Sequence, residues 1–280
     1  MTEPEIIFEH KDFIVVDKPA GLMVHAVRVN EVRHPSRRSG SGRRGGAGMN
    51  AAGGREEEPT LTEWLVARYP EMKRVGDDPV LRPGIVHRLD KATSGVMIAA
   101  RTQAAFERLK RYFQEHRMRK TYFALVRGVP RNRKGTIDAP IGITTGSLRR
   151  SVHSRKMAKP AVTEYEVIAT FGGADGATQS DRGERYALLR VSPQTGRTHQ
   201  IRVHLASIGH PIVGDPLYGG RRARRREKEG SGTDGERGIP PRLMLHASTL
   251  AFTDDSGDHY EFAAPLPQEF PVIHRDVRAE

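Results

Sequence analysis

The order in which strand and helix patterns follow one another most constrains the fold of this chain. Short apolar runs at residues 6–8 and 13–16 are typical of two strands joined by a turn, and further strands are predicted at 162–171 and 186–191. Helices are inserted between such runs and do not alternate regularly with single strands. A doubly wound parallel sheet requires that alternation, so the pattern predicts an α+β fold with a mixed, mainly antiparallel sheet flanked by helices.

The sequence indicates where two helices start. Thr60 and Glu63 have the spacing of a capping box at the beginning of an apolar face. A second helix is predicted near Thr102, where Phe106 belongs to an apolar stripe that repeats at helical spacing. A strand at residues 121–127, with apolar side chains on one face, is predicted to follow this helix.

Two segments differ in composition from the rest of the chain. Residues 30–58 consist mainly of Gly, Arg and Ser with almost no apolar side chains, and residues 221–238 are also of low complexity. Such segments cannot bury enough apolar surface to offset the entropy that is lost on ordering. They are interpreted as disordered or flexible insertions in one domain that spans residues 1–280.

The charge balance indicates a polyanionic partner. The chain has 46 Lys and Arg against 34 Asp and Glu, a net charge of +12. Nucleic acid is the commonest such partner, and a basic protein without one is the alternative.

The absence of cysteine excludes disulfides, thiolate metal sites and cysteine nucleophiles. Neither a signal peptide nor an apolar stretch of about 20 residues is found, so we expect a cytoplasmic protein without membrane contact.

The first segment with a chemical signature covers residues 85–97. An apolar approach ends in His87 and Arg88, Asp90 and Lys91 follow, and a second apolar run comes next. A carboxylate between cations near the end of a strand is a candidate reactive group, because nearby positive charge favours its ionised form. An ordinary surface ion-pair cluster is the alternative, and it is favoured when this segment is considered alone.

Two further segments combine cations with an aromatic or apolar element. Tyr122 follows two cations and opens an apolar strand; its ring can stack on a nucleobase and its hydroxyl can exchange a proton. A core or edge tyrosine is the alternative. Arg197, His199, Arg202 and His204 are predicted on the first turns of a later helix, where an arginine can pair with a carboxylate or a phosphate. A solvated basic helix is the alternative there.

Three long motifs occur in an order that resembles a known family. They are HRLDKATSGVMIAA at 87–100, RKTYFALVRG at 119–128 and TGRTHQIRVHLASIGHPIVGDPLYG at 195–219. They resemble the motifs of the RluA-type family of RNA pseudouridine synthases, and KPAGLMVH, KPAVTEYEV and LMLHASTLAF also resemble family segments. The resemblance covers most of residues 5–270 and skips both low-complexity segments. It implies the pseudouridine synthase catalytic fold, without a separate N-terminal RNA-binding domain.

The resemblance implies a role for each matching residue. Asp90 matches the catalytic aspartate, Tyr122 the active-site tyrosine, and Arg202 the basic partner of the aspartate. Arg88 would stabilise the space left by a uridine that is turned out of its stack. Asp90 can attack the sugar or remove a proton from it, and both routes stay open. The RNA contacts implied by the motifs are at Arg88, His87, Lys91, Thr93, Arg197, His199 and Gln200.

The resemblance also implies the partners of the protein. Isomerisation of uridine adds no electrons and no group, so neither a cofactor nor a metal ion is expected. The expected substrate is structured RNA, either ribosomal or transfer RNA, whose phosphates would be held by a basic central cleft at Asp90. We expect a monomer that needs no obligate protein partner.

Three alternative functions compete with this interpretation. A metal hydrolase would need ligands at helical spacing, but His199 and His204 are five residues apart with no Glu between them. A glycosidase usually needs two carboxylates, and the second one in the motifs, Asp215, is predicted in a turn with a structural role. A non-catalytic RNA-binding protein would not require the three catalytic candidates together.

Overall fold

The computed structural model describes residues 3–26, 59–146, 149–172, 185–219 and 242–271. Both segments that are interpreted as insertions, 30–58 and 221–238, lie outside these ranges. Within them, a 3-10 helix at Pro70–Arg74 accompanies the following strands and α-helices: β1 (Glu5–Glu9), β2 (Phe13–Lys18), α1 (Leu61–Arg68), β3 (Ser94–Ala100), α2 (Gln103–Gln114), β4 (Arg119–Arg127), β5 (Lys134–Asp138), β6 (Gly142–Ile143), β7 (Arg150–Ser151), β8 (Val162–Phe171), β9 (Tyr186–Pro193), α3 (Gln200–Ser207), β10 (Leu245–Thr253) and β11 (His259–Ala263).

Nine of these strands form one sheet. Its order is β1-β2-β3-β10-β4-β9-β8-β5, with β11 paired to β10, while β6 and β7 form a separate small hairpin. Strands β3 and β10 run parallel, and the other pairings recorded between the described strands are antiparallel. The prediction of an α+β fold with a mixed, mainly antiparallel sheet is therefore confirmed, and the predicted strands at 162–171 and 186–191 correspond to β8 and β9.

A glycine sets how closely the parallel pair approaches. Gly95 pairs with Ala247 and has φ of +118°. A Cβ atom at this position would lie 2.1 Å from the carbonyl oxygen of Ala247, so a larger residue would force the strands apart. Because Gly95 follows the HRLDKATS segment directly, this contact determines where the segment meets the centre of the sheet.

The two predicted helix starts are confirmed by their caps. The Thr60 side chain accepts a hydrogen bond from the Glu63 N–H, and the Glu63 carboxylate accepts one from the Thr60 N–H, which makes a complete capping box. Thr102 caps α2 by accepting from the N–H of Ala105 at 3.2 Å. None of the helices in the described ranges has the length and apolar character needed to cross a bilayer.

The core consists of two main apolar clusters. One lies around β1–β3 with α1 and α2, and the other around β4, β9 and α3. Tyr122, on β4, packs against both clusters. The middle of the sheet, where β3, β10 and β4 are neighbours, therefore supports residues that come from distant parts of the sequence.

Candidate active site

Asp90 lies in a turn that precedes β3. The N–H of Thr93 donates to the Asp90 carbonyl at 3.0 Å and closes this turn. The next carbonyl, that of Lys91, accepts hydrogen bonds from the Gly21 N–H at 2.8 Å and from Lys18 Nζ at 3.2 Å. Backbone contacts from a second segment of the chain therefore help to position the carboxylate.

A buried lysine belongs to that second segment. Lys18 is fully buried, and its Nζ also donates to the carbonyls of Pro19 and Leu22 at 2.8 Å each. Burial lowers the pKa of Lys18 to about 7, and the charge of Asp90 acts in the opposite direction. Sequence reasoning missed this residue, although its place in the KPAGLMVH motif was an available signal.

Arg202 bridges two carboxylates. Its Nη1 donates to Asp90 Oδ2 at 2.9 Å, while Nε and Nη2 donate to the two oxygens of Asp215 at 2.8 and 2.9 Å. Asp215 is 1% exposed and also accepts the N–H groups of Leu217 and Tyr218. The bidentate pair with Asp215 fixes the plane of the guanidinium and thereby aims Nη1 at Asp90.

The bridge keeps Arg202 charged. Burial opposes the charge of this 5% exposed side chain, but hydrogen bonds and charge from Asp215 and Asp90 raise the pKa of Arg202 above its usual range. Asp90 therefore has a permanent cation beside it. The pairing of Arg202 with Asp90 was predicted, and so were the turn and the structural role of Asp215, but the contact between Asp215 and Arg202 was not.

His199 also faces Asp90. Its Nε2 lies 3.9 Å from Asp90 Oδ2, and its Nδ1 lies 3.0 Å from the hydroxyl of Tyr218. Burial lowers the pKa of His199, while the charge of Asp90 acts to raise it. The imidazole is therefore neutral at physiological pH.

The start of α3 differs from the prediction. The helix begins at Gln200 and His199 is its N-cap in the left-handed region, with φ of 57°, so Arg197 and His199 are not on helical turns. The cause is the side chain of Gln200, whose Oε1 accepts the Arg197 N–H at 2.9 Å and the Thr195 hydroxyl at 2.7 Å. These bonds close the segment into a turn in place of a further helical turn.

Tyr122 lies in the middle of the sheet and lines the same cleft as Asp90 and Arg202. On β4 it pairs with Ala247 on one side and Val191 on the other. Burial, with a smaller contribution from the charge of Asp90, raises the pKa of Tyr122 above its usual range. The structure thus brings the three predicted catalytic residues together, and it keeps the phenol protonated at neutral pH.

The cleft over these residues has a volume of about 620 Å³. Apolar side chains, among them Phe106, Phe113 and Ile201, form part of its wall. Cations outnumber carboxylates in the lining. The charged lining residues are Arg82, Arg88, Lys110, Lys120, Arg197 and Arg202, with Asp77 and Asp90.

The predicted RNA contacts occupy different environments. Arg88 is exposed at the cleft and lies 3.5 Å from His25, and Arg197 is exposed with its Nε bound to the carbonyl of Pro160. Thr93 lines the cleft but is 2% exposed. Lys91 is exposed, and its carbonyl supports the Asp90 turn.

Two further residues predicted to contact RNA line the cleft and also bind other parts of the protein. His87 Nε2 accepts the N–H of Ile98 at 3.1 Å, and its ring stacks on Phe113 at 4.5 Å between centroids. Burial lowers the pKa of His87 to about 3, so the ring is neutral. Gln200 is 4% exposed and its amide donates to Val162 and Thr163. Both side chains therefore support the walls of the cleft.

Across the described ranges, no group of three or more His, Asp or Glu side chains is arranged to hold a metal ion. The guanidinium of Arg202 lies between the carboxylates of Asp90 and Asp215, at the position where a metal ion would need further ligands. The chemistry that this centre offers is that of one accessible carboxylate, a fixed guanidinium, a neutral imidazole and a protonated phenol.

Comparisons with known proteins agree with this geometry. The family model described as RNA pseudouridylate synthase matches residues 12–207. An uncharacterised RNA pseudouridine synthase of Chloroflexus aurantiacus is 42% identical over 221 residues, which are 78% of this chain and 60% of that protein. The ribosomal large subunit pseudouridine synthase D of Nitrosomonas europaea is 35% identical over 280 residues, covering 98% of this chain and 65% of that protein.

A solved structure is similar to this chain as well. The human RNA pseudouridylate synthase domain containing 1 is similar with a TM-score of 0.63 and 26% identity, over 94% of this chain and 83% of that one. The chain therefore belongs to the RNA pseudouridylate synthase family. It spans between 55% and 65% of the length of the first three curated relatives that it matches.

Proposed function

We propose that this chain converts uridine to pseudouridine in RNA and that Asp90 is the reacting carboxylate. The observation that carries the proposal is the Arg202 bridge, which holds Asp90 and Asp215 on one guanidinium in the cleft that Tyr122 also lines. Membership of the family supports the same reaction.

The proposed reaction is an isomerisation. The bond between uracil N1 and ribose C1′ breaks, the base turns, and a new bond forms between C5 and C1′. The hydrogen of C5 leaves as a proton and N1 gains a proton, so the atoms balance without an oxidant or a group donor. The protein has to supply a carboxylate at the sugar, stabilisation of the displaced base and a path for one proton.

We propose different roles for the two oxygens of Asp90. Oδ2 accepts from Arg202 and faces His199. Oδ1 receives no hydrogen bond from the described part of the chain, so we assign Oδ1 to the substrate. Attack on C1′ and removal of a sugar proton both use this oxygen, and the proposal covers both routes.

Tyr122 is proposed to contact the uracil. Its ring offers a stacking surface, and its raised pKa keeps the hydroxyl in the protonated form. A protonated phenol is a hydrogen-bond donor to the base and a weak base itself. Loss of the C5 proton is therefore proposed to need a change in the surroundings of Tyr122 when RNA is bound, or another acceptor.

The cations at the cleft are proposed to hold the RNA backbone. A uridine must leave its stack to reach Asp90, at a cost of about a few kcal/mol, and phosphate contacts offset this cost. We retain Arg88, Lys91, Thr93, Arg197 and His199 as proposed RNA contacts. His87 and Gln200 are proposed to act through the walls of the cleft.

We propose large-subunit ribosomal RNA as the first substrate to test, because the relative from Nitrosomonas europaea is described as a ribosomal large subunit pseudouridine synthase. We further propose a cytoplasmic monomer that works without an obligate protein partner. Light scattering of the purified chain, alone and with the RNA, measures the oligomeric state.

The test is the substitution Asp90→Asn, which keeps the size of the side chain and removes its charge. Large-subunit RNA labelled with tritium at uridine C5 releases tritium when pseudouridine forms. We expect the release rate to fall by at least about 10³-fold, the scale seen when a reacting group is removed. We expect RNA affinity to change by less than about threefold.

A matched control is Asp255→Asn, which removes a surface aspartate paired with Arg111 and Arg117. Its release rate should equal that of the unsubstituted protein. Unchanged release by the Asp90 variant would reject the proposed role. RNA binding without release by the unsubstituted protein, across ribosomal and transfer RNA, would favour a non-catalytic RNA-binding protein.

A further inference from the structure

Tyr218 links the active site to the small β6–β7 hairpin. It follows Asp215 in the GDPLYG turn, where its N–H donates to Asp215 Oδ1 at 3.0 Å. Its hydroxyl lies 2.8 Å from the backbone nitrogen of Arg150 in β7 and 3.0 Å from Nδ1 of His199. The Tyr218 hydroxyl thus has two partners, a backbone N–H and an imidazole nitrogen.

The Arg150 partner determines the direction of one of these two hydrogen bonds. A backbone N–H can only donate, so the Tyr218 oxygen must accept from it. The direction of the second bond depends on the tautomer of His199, because the hydroxyl donates to a bare Nδ1 and accepts from a protonated one. The Asp90 carboxylate lies 3.9 Å from Nε2 and favours the proton of the neutral ring on that nitrogen, which leaves Nδ1 to accept from the Tyr218 hydroxyl.

The protonated nitrogen is the one that faces Asp90. His199 Nε2 lies 3.9 Å from Oδ2, the same oxygen that accepts from Arg202. This distance is longer than a hydrogen bond, and a small movement of the ring closes it. Oδ2 thus accepts from Arg202 and has Nε2 of His199 as a second neighbour.

The backbone of His199 has an uncommon conformation. With φ of 57° and ψ of 20° it is one of three non-glycine residues with positive φ in the described ranges. Such conformations persist where the surroundings over-determine them, often at functional sites. Here the Tyr218 hydroxyl and the edge-on contact of the two rings, at 5.7 Å, hold the imidazole against Asp90.

We infer that Tyr218 is a positioning residue that sets the tautomer and orientation of His199, so that His199 acts with Arg202 on Asp90 Oδ2 and leaves Oδ1 to the substrate. The inference deepens the proposed function and rests on it for its effect on turnover. The charged and titratable groups that face His199 are Asp90, Arg202, Asp215, Arg150 and Tyr218.

The substitution Tyr218→Phe removes the hydroxyl and keeps the ring that contacts the Arg202 guanidinium at 5.2 Å. We expect kcat to fall about tenfold, the scale of one hydrogen bond, with KM changed less than about twofold. The control is Tyr260→Phe, whose ring packs on Phe252 in an aromatic cluster away from the cleft. It should leave both constants unchanged.

A double-mutant cycle shows whether Tyr218 acts through His199. Asn tolerates the left-handed backbone at this position, so His199→Asn removes the imidazole without adding strain. We expect Tyr218→Phe to have no further effect on kcat in the His199→Asn protein. Additive losses would overturn the inference, as would an unchanged kcat in the Tyr218→Phe protein at wild-type thermal stability.

The tautomer is measured directly by long-range proton–nitrogen NMR of the histidine rings, with His199→Asn used for the assignment. We expect Nε2–H alone in the unsubstituted protein and a mixture of tautomers in Tyr218→Phe. Nδ1–H in the unsubstituted protein, or identical spectra in the two proteins, would overturn the inference. This readout needs no RNA turnover, so it is distinguishable from a failure of the proposed function.

Discussion

A buried and a partly buried arginine of this protein differ in how completely they are paired. Arg202, 5% exposed, donates from three nitrogens to the carboxylates of Asp90 and Asp215. Arg242, 16% exposed, donates from Nη1 to Ser94 at 2.9 Å, and its Nε lies 3.4 Å from the exposed carboxylate of Glu269. Its Nε and Nη2 make no hydrogen bond within the described residues. Burial lowers the pKa of Arg242, whereas the carboxylates raise that of Arg202.

The two arginines lie on opposite faces of the sheet. Tyr122 pairs with Ala247, whereas the preceding residue, His246, pairs with Ser94. Successive strand residues point to opposite faces, so Ser94 and the Arg242 bound to it lie on the face away from Tyr122. Of the two, the arginine on the face with the cleft is the more completely paired, and there its Nη1 is aimed at Asp90, the proposed reacting group.

The largest expected effect is that of Arg202→Met. Asp215 would be left as a buried carboxylate without a cation, so we expect the free energy of unfolding to fall by roughly 3–5 kcal/mol. Turnover should fall at least about 10²-fold because Asp90 loses its cation and its orientation. Urea denaturation and tritium release measure the two effects. If the Arg202→Met protein is as stable as the unsubstituted protein, the contrast between Arg202 and Arg242 does not hold.

A smaller, pH-dependent effect is expected for Asp17→Asn. Asp17 pairs with Val96, two residues after Ser94, and therefore lies on the same face of the sheet as Ser94. Burial, then the charge of Glu5, raises the pKa of Asp17 from 3.8 to about 6. The folded state therefore binds the proton of the Asp17 carboxyl more tightly than the unfolded state does. The stability that comes from this protonation is full below pH 3.8 and is lost as the pH rises through 6.

The Asp17→Asn protein should not lose stability in this pH range, because the Asn side chain does not titrate. At pH 8 we expect it to be more stable than the unsubstituted protein by about 1 kcal/mol, after allowance for the solvent that screens this half-buried group. Thermal unfolding between pH 4 and pH 8 measures the difference. Parallel stability curves for the two proteins would contradict the raised pKa.

The smallest effect is expected for Arg242→Met. Replacing an incompletely paired buried cation by an apolar side chain of similar length often costs little, so stability should change by less than about 1 kcal/mol. Turnover should not change, because Arg242 is on the face away from the cleft. If the Arg242→Met protein loses as much stability and turnover as the Arg202→Met protein, the two arginines are equivalent.

Several elements were predictable because their signals are local. The caps at Thr60 and Thr102 depend on side chains within three residues of the helix start, and both are confirmed. The strands at 162–171 and 186–191 follow from their apolar pattern. Asp90, Tyr122 and Arg202 were predicted from motifs and line one cleft, and their catalytic roles stay a prediction.

Other features depend on contacts between distant segments. The buried role of Lys18 requires the carbonyl of Lys91, which is 73 residues away. The start of α3 depends on the side chain of Gln200, whose amide reaches Val162, 38 residues away. Neither contact has a local signature, so periodicity alone could not indicate them.

The sequence by itself determined the fold class, the capped helices and the family motifs, because these depend on short-range patterns of polarity and residue type. Only the tertiary structure decided that Arg202 is shared by Asp90 and Asp215 and that His199 turns its Nε2 toward the same carboxylate. The physical reason is that the charge state and direction of a buried side chain depend on the groups that the fold packs around it.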